Sequence, residues 1–154
     1  MWQRIQTLYL AIVAVLSSVQ MFVPLAGFTD VDAAQVYAFK AYNLIELESG
    51  EVVQNAYFLP LLPLIIALLA VGKIFLFKKR LLQIRLCVVN IVLAIMFYPY
   101  MFLHLYFATK GVENISTFWG IPSSFQLINV ILLFLAIRAI GHDEALVRAA
   151  DRMR

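Results

Sequence analysis

Carboxylates are missing from every long apolar stretch of this chain. The runs at residues 5–28, 57–77, 81–107 and 122–141 contain no Asp or Glu. An intramembrane acid is the usual proton or cation carrier of a coupled transporter, so its absence argues against that class, the small four-helix drug exporters included. Cysteine occurs once, as Cys87, which excludes an intrachain disulfide, a C-x-x-C redox site and the cysteine pairs of bundle-type thiol oxidases. Histidine occurs twice, and only His104 falls in an apolar run. Paired axial haem ligands, an H-E-x-x-H zinc site and a Ser–His–acid triad therefore lack their parts. No catalytic, cofactor-binding or metal-binding residue is assigned, no cofactor is expected, and the chain is expected not to be an enzyme. Charge of either sign is also scarce. Charged residues make up 14% of the chain and hydrophobic ones 64%, against about 25% and about 45–50% in a soluble globular protein. The net charge of +3 is scattered, which leaves no concentrated basic face for nucleic acid.

What is present in abundance is apolar length. A hydrocarbon core about 30 Å thick asks for about 20 apolar residues per helix, and the four runs predict four transmembrane helices. The first run exceeds the 7–15 residues, or about that, of a secretory signal core and leads into further runs, so it is expected to be retained. Short loops rich in Lys and Arg stay in the cytoplasm. Lys78, Lys79 and Arg80 crowd the connection between the second and third runs, and Arg4, Arg138, Arg148, Arg152 and Arg154 sit at the two ends. The expected fold is all-α: a four-span transmembrane helix bundle forming one domain over residues 1–154, with both termini cytoplasmic. Lys73 and Arg85 lie near the cytoplasmic helix ends and are expected to snorkel to the headgroups.

The connections carry their own signals. In the outer loop at residues 29–56, the stretch 36–47 is rich in aromatic and branched residues that suit strands. Glu48-Ser49-Gly50-Glu51 reads as a turn with Gly50 at positive φ, and residues 52–54 as a returning strand. A short extracytoplasmic β-hairpin is expected. Trp119, in the loop before Pro122, suits the aromatic belt at the lipid boundary, as Trp2 and Tyr9 do on the inner side. Pro122 fits the first turn of the last helix. Gly141 is expected to loosen that helix before a cytoplasmic tail at residues 142–154. In the tail, Leu146, Val147, Ala150 and Met153 form a narrow apolar stripe with Arg148 and Arg152 beside it. This pattern predicts a short amphipathic helix that contacts membrane lipid or a membrane-protein partner through Leu146, Val147, Arg148 and Arg152.

Polar residues inside the runs follow helical spacing. Cys87, Asn90, Ala94, Phe97, Met101 and His104 recur at three- and four-residue steps and share one face. Gln126 and Asn129 share another, and Gln20 lies at the outer end of the first run. An amide bare in hydrocarbon is costly, so these groups should face inward. Gln20, Asn90, His104, Gln126 and Asn129 are the candidates for one outward-facing polar cavity, with interhelical hydrogen bonding as the structural alternative.

The two ends also carry a family likeness. The opening Met1-Trp2-Gln3-Arg4-Ile5-Gln6-Thr7-Leu8-Tyr9-Leu10, Pro24-Leu25, the closing Ile137-Arg138-Ala139-Ile140 and the tail from Asp143 to Arg154 resemble a domain-of-unknown-function family of small four-span membrane proteins of Bacteroidota. The resemblance implies the bacterial inner membrane and a four-helix architecture, and brings no catalytic residue. The function expected is that of a non-enzymatic subunit or scaffold of a membrane complex. The alternative is binding or transport of a small molecule or lipid through the polar cavity.

Overall fold

Pro24 stops the first apolar run from forming a single helix, because a proline supplies no backbone N–H and disfavours helix at the residue before it. In the computed structural model, which describes residues 5–55, 58–76, 79–110, 112 and 114–152 and the side chains of all of these except 148 and 150–152, helix α1 covers Ile5–Gln20 and the chain then turns into strand β1, Ala26–Asp30. Strands β2 (Gln35–Phe39), β3 (Asn43–Glu46) and β4 (Val52–Asn55) follow, then helices α2 (Leu61–Phe75) and α3 (Arg80–Thr109), strand β5 (Ile115–Trp119), a 3-10 turn at Ile121–Ser124, and helix α4 (Phe125–Arg152). Trp2, Arg4, Lys78, Met153 and Arg154 lie outside the described residues, as do the side chains of Arg148, Ala150 and Arg152.

The all-α expectation is overturned. The fold is mixed α/β, with four helices and one five-stranded sheet in the order β4-β3-β2-β1-β5, every pairing antiparallel. The expected hairpin is only part of that sheet. Its long first strand breaks at residues 40–42 into β2 and β3, closed by Lys40 N–H donating to the Asn43 carbonyl at 2.9 Å. The sheet then gains β1 from the tail of the first apolar run and β5 from the loop before α4. Residues 26–28 of β1 are apolar enough to suit a membrane helix, whereas β5 falls in a stretch expected as loop, whose partner strand lies far back in the sequence. Gly50, at φ +71°, does make the expected turn between β3 and β4.

One face of the sheet is a core. Cross-strand register sets Phe28 opposite Tyr37, Ala26 opposite Phe39, and Phe39 opposite Leu44. Phe28 and Tyr37 stack with centroids 4.8 Å apart. Phe28, Phe39 and Leu44 pack with Phe97, Met101 and Leu105 from the second half of α3. Each such side chain removed from water contributes about 1.5–3 kcal/mol. On the other face, the Phe118 ring of β5 lies over Gly27, where an added Cβ would come within 2.2 Å of it. The strand β5 is also tied to the start of β1, because Gly120 N–H donates to the Leu25 carbonyl at 2.9 Å.

The sheet joins the C-terminal ends of α1 and α3 and the N-terminal ends of α2 and α4, so it caps one end of the helices and leaves Ile5, Lys79 and Arg80 at the other. Pro63 sits in the first turn of α2, where its missing N–H costs nothing. Pro99 lies inside α3 without ending it. The tail is not a separate helix: α4 continues through Gly141 to Arg152. At a rise of 1.5 Å per residue, α3 and α4 are about 45 and about 42 Å long, while α1 and α2 reach only about 24 and about 22 Å. Two stretches, Arg80–Thr109 and Ile121–Val147, are long and apolar enough to cross a membrane; α1 and α2 are shorter apolar helices.

Candidate functional site

Helical periodicity carries polar side chains into the middle of the helices. Ser17, Gln20, Asn90, Gln126 and Asn129 are all fully buried. They form two separate groups. At the sheet end, Gln126 Nε2 donates to Gln20 Oε1 at 2.7 Å, Asn129 Nδ2 donates to Ser17 Oγ at 2.9 Å, and Asn129 Nδ2 also reaches Gln126 Oε1 at 3.1 Å. This chain of amides stitches α1 to α4. Buried polar groups in a low-dielectric interior polarise one another, so the bonds of a connected chain reinforce each other. Gln20 Nε2 and Asn129 Oδ1 remain without a partner among the described residues.

Asn90 stands apart. Its Nδ2 donates to the Ile66 carbonyl of α2 at 3.2 Å, and so fastens α3 to α2. His104 is elsewhere again, half-buried beneath the sheet with its ring 5.4 Å from Tyr100 and 6.2 Å from Phe39. Leu105, not His104, continues the buried face of α3 that runs through Cys87, Asn90, Ala94, Phe97 and Met101. Of the five residues expected around one cavity, the structure brings together Gln20, Gln126 and Asn129 and separates Asn90 and His104 from them. Neither of the two cavities described below is lined by any of the five.

The other end of the helices holds a residue that its position near a helix end misplaced. Lys73 does not snorkel: it is fully buried. The signal was available, because Ile66, Ala70 and Lys73 are four and three residues apart on one face, and all three are buried. Its side chain lies beside the Cys87 thiol of α3. Gln83, also buried, donates from Nε2 to the Lys73 carbonyl at 3.1 Å. Together they close the hairpin between α2 and α3.

Two cavities open at this end. One, of about 380 Å³, is bounded by Gln6 of α1, Arg80 of α3 and Asp143, Leu146 and Val147 of α4. Leu146 and Val147 are thus exposed, while the start of their helical segment is held. Arg80 Nη1 donates to the Asp143 carbonyl at 2.9 Å and pairs with Glu144 Oε2 at 3.4 Å. The second cavity, of about 430 Å³, is bounded by Lys79, Arg80, Leu81, Leu82, Arg85 and Glu144.

A further tie escaped the sequence. Tyr98 Oη donates to the Ser123 carbonyl at 2.9 Å and accepts from Leu127 N–H at 3.0 Å. It thereby satisfies an N–H in the first turn of α4 that has no partner within its own helix. In the sheet, burial and then the Glu46 and Asp30 carboxylates push the Tyr37 phenol above its ordinary range. It stays protonated and donates to Gln35 Oε1 at 2.7 Å.

Among the described residues, no three His, Cys, Asp or Glu side chains converge on a point that would hold a metal ion. The buried amides carry no net charge and serve as paired donors and acceptors between helices. The family described as Domain of unknown function (DUF4293) matches residues 2–153. Comparison with curated proteins finds no match.

Proposed function

The chain belongs to the DUF4293 family, and on that premise we propose that it is a multi-pass protein of the bacterial inner membrane that acts as a non-catalytic subunit or scaffold. The observation that carries the membrane reading is the apolar outer surface of the helical half, wrapped around a core that holds buried amides. Gln20, Asn90, Gln126 and Asn129 are buried in its interior with Leu10, Ile66 and Leu133, whereas Val15, Leu68, Val92 and Phe134, on α1 to α4 in turn, are 53–63% exposed. Water would penalise that arrangement and lipid rewards it. The two long apolar stretches support the same reading, since only 28% of each is buried within the protein, far less than in the core helix of a soluble fold. The basic end, with Lys79, Arg80 and Arg85, faces the cytoplasm on this reading, and the sheet faces outward. Cysteine labelling tests the arrangement: Ser49→Cys reacts in intact cells and Lys79→Cys only after permeabilisation, and the opposite order would reject it.

The scaffold reading rests on elements that are held in place yet present apolar surface. Leu146 and Val147 are exposed on a segment whose start is fixed by Arg80. Because Arg80 also packs against Asp143 and Glu144, deleting the whole tail would disturb α3. The cleaner test is Leu146→Glu with Val147→Glu. The expected result is normal membrane insertion with loss of a stoichiometric protein partner after purification in mild detergent. Retention of every partner by this variant would reject docking through the tail.

A further inference from the structure

The groove at the start of α3 combines charge with lipid-facing hydrocarbon in a way that no other described part of the molecule does. Lys79, Arg80 and Arg85 bring three cations to its wall against the single carboxylate of Glu144, and that carboxylate is already paired with Arg80. Among the described residues neither Lys79 nor Arg85 has an acidic partner. The partial positive charge at the N-terminus of a 30-residue helix adds to the same field. Leu81 and Leu82 complete the wall and are 57% and 41% exposed.

We propose that this groove binds the phosphate of an anionic phospholipid, with its acyl chains laid along α3. The proposal rests on the membrane reading above. The hydrocarbon decides between a lipid and a soluble phosphate. Leu81, Arg85, Val88 and Val92 succeed one another at three- and four-residue steps, so they form one stripe leading from the cations up the helix. Val88 and Val92 are 49% and 53% exposed, and the stripe continues through Ile95, also exposed. A ligand matched to both parts carries an anion at one end and a long apolar body at the other. Lys79 and Arg85 contact the phosphate oxygens. Arg80, whose Nη1 is held by Asp143 and Glu144, forms the back wall and adds its field. A basic pocket of this kind at the cytoplasmic side of a helix pair is a recognised physical solution for anionic headgroups.

The test uses the full chain in a mild detergent with phosphatidylglycerol or phosphatidylcholine of identical acyl chains, reading bound lipid by native mass spectrometry and Tm by thermal unfolding. The wild type is expected to retain phosphatidylglycerol preferentially. Lys79→Gln and Arg85→Gln should each lower that preference about fivefold, and the double variant about thirtyfold. Arg138→Gln, the same change of charge outside the groove, should leave it unaltered. The single variants keep the test decisive if the double variant does not fold. An unchanged preference in either single variant overturns the proposal, as does an equal loss in Arg138→Gln. Glycerol phosphate raising Tm as much as the lipid would make the groove a soluble-phosphate site. An acidic protein retained in place of lipid would likewise reject it. Carbonate extraction of native membranes separates this proposal from its premise. A chain that stays in the membrane but shows no headgroup preference rejects the lipid site alone, whereas a chain released by carbonate rejects the membrane reading.

Discussion

In the sheet half of the molecule the buried side chains are Phe28, Phe39 and Leu44, and the loops around them present Asp32, Glu48 and Glu51 outward. In the helical half the buried set includes Gln20, Asn90, Gln126 and Asn129, and the outward set is Val15, Leu68, Val92 and Phe134. Both halves bury apolar side chains, Leu10, Ile66 and Leu133 among them in the helical half, and the two differ in the amides added to that core and in what they expose. On the membrane reading proposed above, each half is folded against a different solvent. In water, apolar burial drives folding and polar groups belong outside. In hydrocarbon that drive is absent between helices, so close packing and internal hydrogen bonds hold them together.

The largest test of this contrast lies in the sheet core. Phe39 is 1% exposed, and Phe39→Ala leaves a cavity between sheet and α3 that should cost about 3–5 kcal/mol. Thermal unfolding in detergent should show the sheet lost while α3 and α4 keep their helical signal. Next comes a pair of side chains with nearly equal exposure, Phe134 at 60% and Val53 at 57%. Phe134→Arg should raise the cost of membrane insertion by about 2.5–3.5 kcal/mol. Val53→Arg, on an edge strand in water, should change stability by no more than about 0.5 kcal/mol. Equal costs in an insertion assay and a melting assay would remove the two-solvent account.

Two glycines give a smaller contrast. An added Cβ at Gly120 would stand 2.7 Å from the Pro24 carbonyl oxygen, whereas at Gly141 it would meet nothing within 4 Å. Gly120→Ala should cost about 1–3 kcal/mol by forcing β5 from the start of β1. Gly141→Ala, inside α4, should stabilise by about 0.5–1 kcal/mol. The smallest effect belongs to the buried amides. Asn129→Leu should lower stability in detergent by only about 0.6 kcal/mol, far less than Phe39→Ala. A loss of several kcal/mol would show that the amide chain, and not packing, fixes the register of α1 against α4.

Local patterns in the sequence marked four helices, because apolar periodicity is written into neighbouring residues, but not all their bounds: α1 ends at Gln20 and α4 runs on through the expected tail. The buried positions of Cys87, Asn90, Ala94, Phe97 and Met101 follow from their spacing in the same way. The sheet was legible only where its partners are close in sequence, at the Gly50 turn between β3 and β4. Ile115-Ser116-Thr117-Phe118-Trp119 has strand-favouring residues, but its partner β1 lies far back along the chain, and such pairing leaves no local mark. Pro24 and Gly27 did signal a break in the first run, and the apolar residues around them masked it. Lys73 was misplaced for a different reason. Its depth near a helix end suggested snorkelling, while its spacing from Ile66 and Ala70 already assigned it inward, and the packing of α3 enforces the spacing. Among the candidate site residues, seriation along a helix located the amides without revealing which helix each one meets.

The antiparallel pairing of β1 with β5 has a consequence in time as well as in space. About 85 residues separate Asp30 from Ile115, and at about 5–20 residues per second a ribosome needs roughly 4–17 seconds to cross that interval. Throughout it, β1 has one edge satisfied by β2 and the other bare, while α2 and α3 are being made. An unpaired edge is a template for any passing extended chain. The nascent protein therefore has a defined window of vulnerability, which closes when β5 emerges and occupies that edge. A short extended peptide matching Ile115–Trp119 would compete during this window and have no access after it.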